Sequence, residues 1–273
     1  MNPVLHVAAA QLAPTEDAET NRAEIAKLVA EGAKHGAKLV VFPEEAMLLA
    51  SEVDGDLAET VTAEWPRFVE HLSLLAREYE VWIIAGGYEP SGSERPYNSI
   101  IVVNSSGQCV ENYRKLHLYD AFAYKESEYV TGGIDLPPVV LIEGVAVGLI
   151  NCYDLRFPEM GRSLIDRGAD LLSVSAAWVT GARKEQHWAT LLQARAIENT
   201  CWVVGSSSAS PDCIGNSMIV DPLGVARAQL GPESHALIHL EVSLDRTADV
   251  RDKLPALANR RLETTITVRK ETN

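Results

Sequence analysis

The chain has 273 residues, 47% of them hydrophobic and 23% charged, a make-up that suits a soluble globular protein able to bury a core without disulfides. Its net charge of −14 argues against nucleic acid and anionic membranes as partners, and no apolar run approaches the ~18–20 residues needed to span a bilayer. Cys109, Cys152, Cys201 and Cys213 show no CxxC or metal-like spacing, the seven histidines form no HxH or HExxH cluster, and the N-terminus lacks a basic leader; a cytoplasmic protein with reduced thiols and no metal is expected.

Strand-like apolar runs alternate with helical patterns along most of the chain. Leu5–Ala10 reads as a strand, and Glu19–His35 as a helix opened by Thr20-Asn21 and stopped at Gly36. Leu39–Phe42 is a strand, Trp65–Tyr79 a helix, and Val81–Ala85 a strand closed by Gly86-Gly87. Ser99–Asn104 and Gln108–Tyr113 read as a hairpin. Val145–Asn151 is a strand, Glu159–Arg167 a helix stopped by Gly168, Leu171–Ser175 a strand, Lys184–Asn199 a helix and Cys201–Ser206 a strand. Met218–Asp221, Ala226–Leu230 and Ala236–Glu241 look like a closing β segment. This alternation predicts α/β layers with sheets covered by helices, and it does not distinguish one sheet from two. No linker divides the chain, so residues 1–245 read as one domain. Residues 246–273 read as a tail with seven Lys/Arg against four Asp/Glu, either solvated or docked on an acidic neighbouring subunit.

Three polar residues stand where apolar runs end. Val145–Asn151 delivers Cys152 onto a turn at the C-terminal end of a strand, where open α/β folds place their chemistry. A thiol there becomes a strong nucleophile with modest help, although a free Cys also packs as an inert small hydrophobe. Lys38–Phe42 ends, after Pro43, in Glu44, and Lys115 follows the hairpin. A carboxylate, an ammonium and a thiol suffice for acyl transfer: Glu44 as general base, Lys115 lowering the thiol pKa and holding an oxyanion, Cys152 as nucleophile. The backbone N–H of Tyr153 is a natural second oxyanion donor. Asp154 and Arg156 read as stabilisers of that turn, and Arg195 with Glu198 as an (i, i+3) ion pair.

FPEEA (42–46), YRKLHLYD (113–120) and NCYDLRFPE (151–159) resemble the three signature segments of the nitrilase superfamily, the carbon–nitrogen hydrolases, in that family's order and 71 and 37 residues apart from glutamate to lysine to cysteine. The resemblance extends from Val4 to about Val242 and includes Gln11-Leu12, His187–Gly205 and Gly215–Gly224. It implies a four-layer αββα sandwich with Glu44, Lys115 and Cys152 meeting at the sheet ends, no cofactor, and a homodimer or higher oligomer in which C-terminal segments are exchanged. It also implies a second glutamate beside the lysine, for which Glu126 matches better than Glu128.

The residues after Cys152 look like the amidase branch that includes ω-amidases and deaminated-glutathione amidases. The resemblance thus implies a small linear amide, cleaved through a thioester to ammonia and a carboxylic acid. An N-carbamoyl-amine or N-carbamoyl-amino-acid hydrolase, a nitrilase proper, a non-catalytic scaffold and a papain-like enzyme using His117 are the alternatives. Trp178 stands where many relatives carry Phe, and reads either as a core aromatic or as a wall of the acyl pocket. Arg183 or Lys184, at the start of a helix, reads as a receptor for a distal substrate carboxylate or as a solvated cation.

Overall fold

A computed structural model describes residues 2–122, 124–263 and 265–269. In chain order the first half comprises β1 (Val4–Gln11), α1 (Ala18–Lys34), β2 (Leu39–Val41), α2 (Leu57–Tyr79), β3 (Trp82–Glu89), β4 (Tyr97–Val103) and β5 (Cys109–Arg114). A two-residue pair, β6 (Asp120–Ala121) and β7 (Tyr124–Lys125), follows. The second half holds β8 (Val139–Ile142), β9 (Val145–Asn151), α3 (Pro158–Asp166), β10 (Leu171–Ala176), α4 (Lys184–Asn199) and β11 (Trp202–Ser207). Then come β12 (Ala209–Ser210), β13 (Cys213–Ile214), β14 (Met218–Val220), β15 (Ala226–Gln229), β16 (Ala236–Ser243) and α5 (Leu244–Lys253).

Two six-stranded sheets result, in the orders β16-β1-β2-β3-β4-β5 and β15-β14-β11-β10-β9-β8. Each has three parallel strands at its centre, β1-β2-β3 in one and β9-β10-β11 in the other, flanked by antiparallel neighbours. The central strands are apolar on both faces because both faces are covered. Val7, Val41 and Ile84 of the first sheet pack against Val147, Leu171 and Val204 of the second. On the outer faces, Ile25 of α1 with Phe68 and Leu72 of α2 cover the first sheet, and Leu164 of α3 with Trp188 and Leu192 of α4 cover the second. The architecture is an αββα sandwich, and the two halves repeat one topology. None of the described helices is long and apolar enough to cross a membrane.

The elements depart from expectation where a local signal competes with packing. Helix α2 begins at Leu57 instead of Trp65, capped by Asp56, whose side chain accepts from the N–H groups of Ala58 and Glu59. Pro66 lies inside it on the exposed side, while Val61, Phe68 and Leu72 bury the opposite stripe; that burial offsets the one backbone bond the proline removes. Strand β8 went unrecognised, and the segment expected as a tail from residue 246 starts within α5. There Val250 is buried, Arg246 pairs with Asp221 at 2.9 Å, and the Arg251 Nε donates to the Thr200 carbonyl at 3.1 Å.

This framework sets the sheet ends at one level, and Gly86 on β3 is essential to it. Its N–H donates to the Pro43 carbonyl at 3.0 Å, and its carbonyl accepts from Met47 N–H at 3.3 Å, so β3 runs directly against the Glu44 backbone. A Cβ added at Gly86 would fall on the carbonyl oxygen and Cα of Glu44. Gly86→Ala should therefore destabilise the fold by about 1–3 kcal/mol or more, the range for overpacking against atoms that cannot yield. Urea unfolding would check this, and a midpoint equal to that of wild type would count against the backbone contact.

Candidate active site

Three strand ends meet where the sheets face each other. Glu44 follows β2, Lys115 follows β5, and Cys152 follows β9; they are 4%, 2% and 8% exposed. Cys152 has a φ of 45°, in the left-handed region that non-glycine residues rarely adopt, and opens a 3-10 turn over Cys152–Arg156. The turn is tied down on two sides. Asp154, fully buried, accepts from the Tyr113 hydroxyl at 2.7 Å, His117 N–H at 3.0 Å and His117 Nδ1 at 2.7 Å, which links it to the segment carrying Lys115. From the other side Arg195 donates to the Leu155 carbonyl at 2.7 Å while pairing with Glu198 at 2.9 Å.

The Lys115 ammonium lies between two carboxylates, 2.6 Å from Glu44 Oε1 and 2.8 Å from Glu126 Oε2. Glu128, three residues from Lys125 and paired loosely with it, is exposed and takes no part. Asn98 bridges the two acids, its Nδ2 donating to Glu44 Oε1 and to Glu126 Oε1 at 2.8 Å each, and its Oδ1 accepting from Asn151 at 2.9 Å. The other Glu44 oxygen accepts from Ala177 N–H at 2.9 Å. Burial pushes the Glu44 carboxyl up, but the Lys115 charge and hydrogen bond, with the Ala177 N–H, outweigh it and hold the group below its usual value. Lys115 is the converse: burial works against its charge, and Glu126 and Glu44 raise it well above the ordinary ammonium range.

Lys115 pulls the Cys152 thiol down, as expected, but does not decide its state. Burial and then the Glu44 charge push the thiol up, Lys115 pulls it down, and the balance lies well above the ordinary thiol range. Burial and the carboxylates around Lys115 together outweigh its pull on the sulfur. The resting group is a thiol, with the Ala177 carbonyl 4.0 Å from Sγ and the Glu44 carboxylate beside it. All four cysteines are free, and among the described residues no group of three or more His, Cys, Asp or Glu converges as a metal site would.

A cavity of about 580 Å³ opens over these residues. Trp178 lines it and is also core, its Nε1 donating to the Lys184 carbonyl at 3.0 Å and Arg156 stacking on its ring at 4.7 Å. Tyr153 lines the cavity from the first turn of the 3-10 segment, where backbone N–H groups lack intrahelical acceptors. Arg183 is exposed in the left-handed region before α4 and does not line the cavity, whereas the next residue, Lys184, is buried in its wall. The left-handed turn at Arg183, just before the helix starts, separates the directions of the two side chains. His117 makes no hydrogen bond to Cys152; its Nδ1 is held by Asp154 and its ring stacks on Phe157 at 3.7 Å.

Asn98 is the residue that sequence reading missed. The strand was expected from Ser99 and starts at Tyr97, and an Asn inside a strand, where it is disfavoured, was the available signal. Glu45 and Tyr88, hydrogen-bonded at 2.6 Å on the cavity wall, went unread as well.

The carbon-nitrogen hydrolase family profile matches residues 6–252. The deaminated glutathione amidase of Escherichia coli O157:H7 is 40% identical over 259 residues, 93% of this chain and 97% of that protein. The C. elegans NitFhit protein superimposes with a TM-score of 0.88 at 29% identity, over 95% of this chain and 66% of that longer one. An amidase from Nesterenkonia sp. AN1 superimposes with a TM-score of 0.79 at 26% identity over 94% of each chain; its structure is of a glutamate-to-glutamine mutant with the acetamide moiety of fluoroacetamide added covalently at the active-site cysteine. The chain belongs to the carbon-nitrogen hydrolase family, as an enzyme of the amidase type within the nitrilase superfamily.

Proposed function

We propose that this enzyme hydrolyses a small linear amide bearing a carboxylate remote from the scissile bond, with Cys152 as nucleophile, Glu44 as general base, and Lys115, positioned by Glu126, as oxyanion donor. The buried Glu44–Lys115–Glu126 group set against the Cys152 thiol carries this reading. As Sγ attacks the carbonyl carbon, its proton passes to Glu44, and the oxyanion is met by Lys115 and the Tyr153 N–H. The tetrahedral intermediate collapses as Glu44 returns the proton to nitrogen; the C–N bond breaks, ammonia or an amine leaves, and a thioester remains. Water then attacks the thioester carbonyl, giving its proton to Glu44. The C–S bond breaks, the sulfur regains a proton, and the carboxylic acid departs.

Lys184 supports the carboxylate. It is a buried cation at the first residue of α4, where the helix dipole disfavours positive charge. Its Nζ donates to the Tyr119 hydroxyl at 2.7 Å and lies over the Tyr119 and Phe122 rings, and no carboxylate of the described residues pairs with it. A buried ammonium so placed on a cavity wall lacks an anion, and a substrate carboxylate would supply one.

Cys152→Ala should fold and leave less than about a thousandth of the wild-type turnover, the usual loss on deleting a nucleophile. Activity above that level would exclude a covalent route through this thiol.

Glu44→Gln separates the two halves of the cycle. It deletes the base that water needs, and it also deletes the charge that opposes thiol ionisation, leaving Lys115 to favour the thiolate. Turnover should fall by about a thousandfold or more, while intact-mass measurement with fluoroacetamide still shows one covalent addition at Cys152, faster as pH rises and the thiolate forms. Wild-type turnover in this variant would place the base elsewhere.

Lys184→Met should lower kcat/KM for succinamate about 10–100-fold, mostly through KM, and change that for butyramide little, because a remote contact is made in ground and transition states alike. Arg183→Ala should leave the ratio of the two substrates as in wild type. Equal effects on both substrates in Lys184→Met would remove the carboxylate from this reading.

A further inference from the structure

Glu45 is a second carboxyl group on the cavity wall that the reaction described above does not use. It follows Glu44 at the end of β2, and one of its oxygens accepts the Tyr88 hydroxyl at 2.6 Å. Its side chain is accessible from the cavity, and no cation of the described residues forms an ion pair with it. Glu45 and Lys184 both line this cavity. From Lys184 the wall runs along Tyr119, Tyr124 and Tyr129, with ring centroids 5.9 and 6.0 Å apart. The charge of Glu45 is felt at the Tyr129, Tyr88 and Cys213 side chains, each of which is pushed up first by burial and then by this carboxylate. The cavity wall therefore carries an ammonium and a carboxyl separated by this row of rings, and Cys152 and Glu44 line the same cavity.

This arrangement gives the substrate a direction. If the acyl portion reaches Lys184 with its carboxylate, the nitrogen of the scissile amide is left to the side of the cavity that carries Glu45. That is also the flank of Glu44, the group that returns a proton to nitrogen. We propose that Glu45, oriented by Tyr88, is the receptor of the amine portion of the substrate, and that it selects amides whose nitrogen carries a substituent with a positively charged or N–H-donating group. The inference rests on the amidase reading and on the placement of the acyl carboxylate at Lys184.

The groups facing Glu45 are Tyr88 from β3, Tyr129, Cys213 from β13, and the Glu44, Glu126 and Lys115 cluster. Burial first, and then the Glu44 charge, raise the Glu45 carboxyl to about 7. It gains negative charge as pH rises through neutrality and loses it below, so attraction for a cationic amine grows in the same direction. Titration of Glu44 and Cys152 acts on all substrates alike and cancels in a ratio of two amides of one acid.

The test compares N-(2-aminoethyl)succinamate with N-propylsuccinamate, a pair differing by a terminal ammonium in place of a methyl group. At pH 8 the wild-type enzyme should favour the ammonium substrate in kcat/KM by about tenfold, mainly through KM, and the preference should shrink toward unity at pH 6. Glu45→Gln should bring the pH 8 ratio close to its pH 6 value and remove its pH dependence; a thermal melt establishes that this variant is folded. The two compounds are also titrated calorimetrically into Cys152→Ala, which binds without turnover. Hydrolysis of both amides with no preference overturns the Glu45 receptor and leaves the amidase reading standing. A binding preference that disappears in Cys152→Ala/Glu45→Gln, with no wild-type turnover of either amide, upholds the receptor and counts against the amidase reading. Failure of both compounds to bind, or a preference that survives Glu45→Gln, overturns the receptor.

Discussion

Taking an ammonium group out of water costs several kcal/mol unless carboxylates and hydrogen bonds are brought to it. Lys115 is 2% exposed, and the local structure is organised around meeting that requirement. Its two acids come from the end of β2 and from the turn at Glu126; Asn98 of β4 bridges them, Asn151 of β9 holds Asn98, and Ala177 beyond β10 fills the second face of Glu44. Strands β2, β4, β5, β9 and β10, drawn from both sheets, must therefore reach one level. Removing one partner would leave an unpaired buried charge, a defect of about 3–5 kcal/mol in comparable cases. The same bonds that satisfy the lysine aim Glu44 at the sulfur.

The arrangement also determines the resting state of the Cys152 thiol. Lys115 has one positive charge shared between two carboxylates, so the cluster is net negative and the thiol beside it is held protonated. A free thiolate would be more reactive at all times and toward any electrophile. Here the carboxylate of Glu44 lies beside the protonated sulfur, so a proton leaving the thiol has an acceptor at hand, and under the proposed mechanism nucleophile formation is coupled to the arrival of a carbonyl. The left-handed backbone of Cys152 fits this picture. It is an uncommon conformation, and it persists because Asp154 and Arg195 fasten the turn from opposite sides.

Charge is distributed unevenly between the surface and the cavity. The chain as a whole carries −14, whereas the cavity holds both signs: Lys115, Arg156 and Lys184 line it together with Glu44, Glu45, Glu126 and Asp212. A cation enclosed in protein keeps its influence at short range, where salt screens it little, while the acidic surface is screened within about a Debye length of ~8–10 Å. The packing of α4 supplies this cation: Trp178 hydrogen-bonds the Lys184 carbonyl and packs on Trp188, so the start of the helix and the cavity wall are one unit.

The sequence by itself determined the strand ends. Apolar runs closing at Glu44, after the hairpin at Lys115, and at Cys152 state where buried strands stop, because uninterrupted apolar residues are tolerated only where both faces are covered. Helix α4 was also legible to its bounds, Lys184–Asn199, from its periodicity. Helix α5 was not, since only Thr247 and Val250 of its ten residues are buried, too few to make a pattern. What only the tertiary structure decided is where side chains from distant segments point. Asn98 lies outside every motif and acquires its place because β4 and β9 come together; Lys184 faces the cavity and Arg183 does not because Lys184 opens α4 while Arg183 sits before it in the left-handed region, which turns its side chain outward; and the thiol is protonated because burial and two carboxylates outweigh one lysine. Local pattern governs which elements form, whereas orientation, burial and net field are sums over neighbours that exist only once the two sheets have packed.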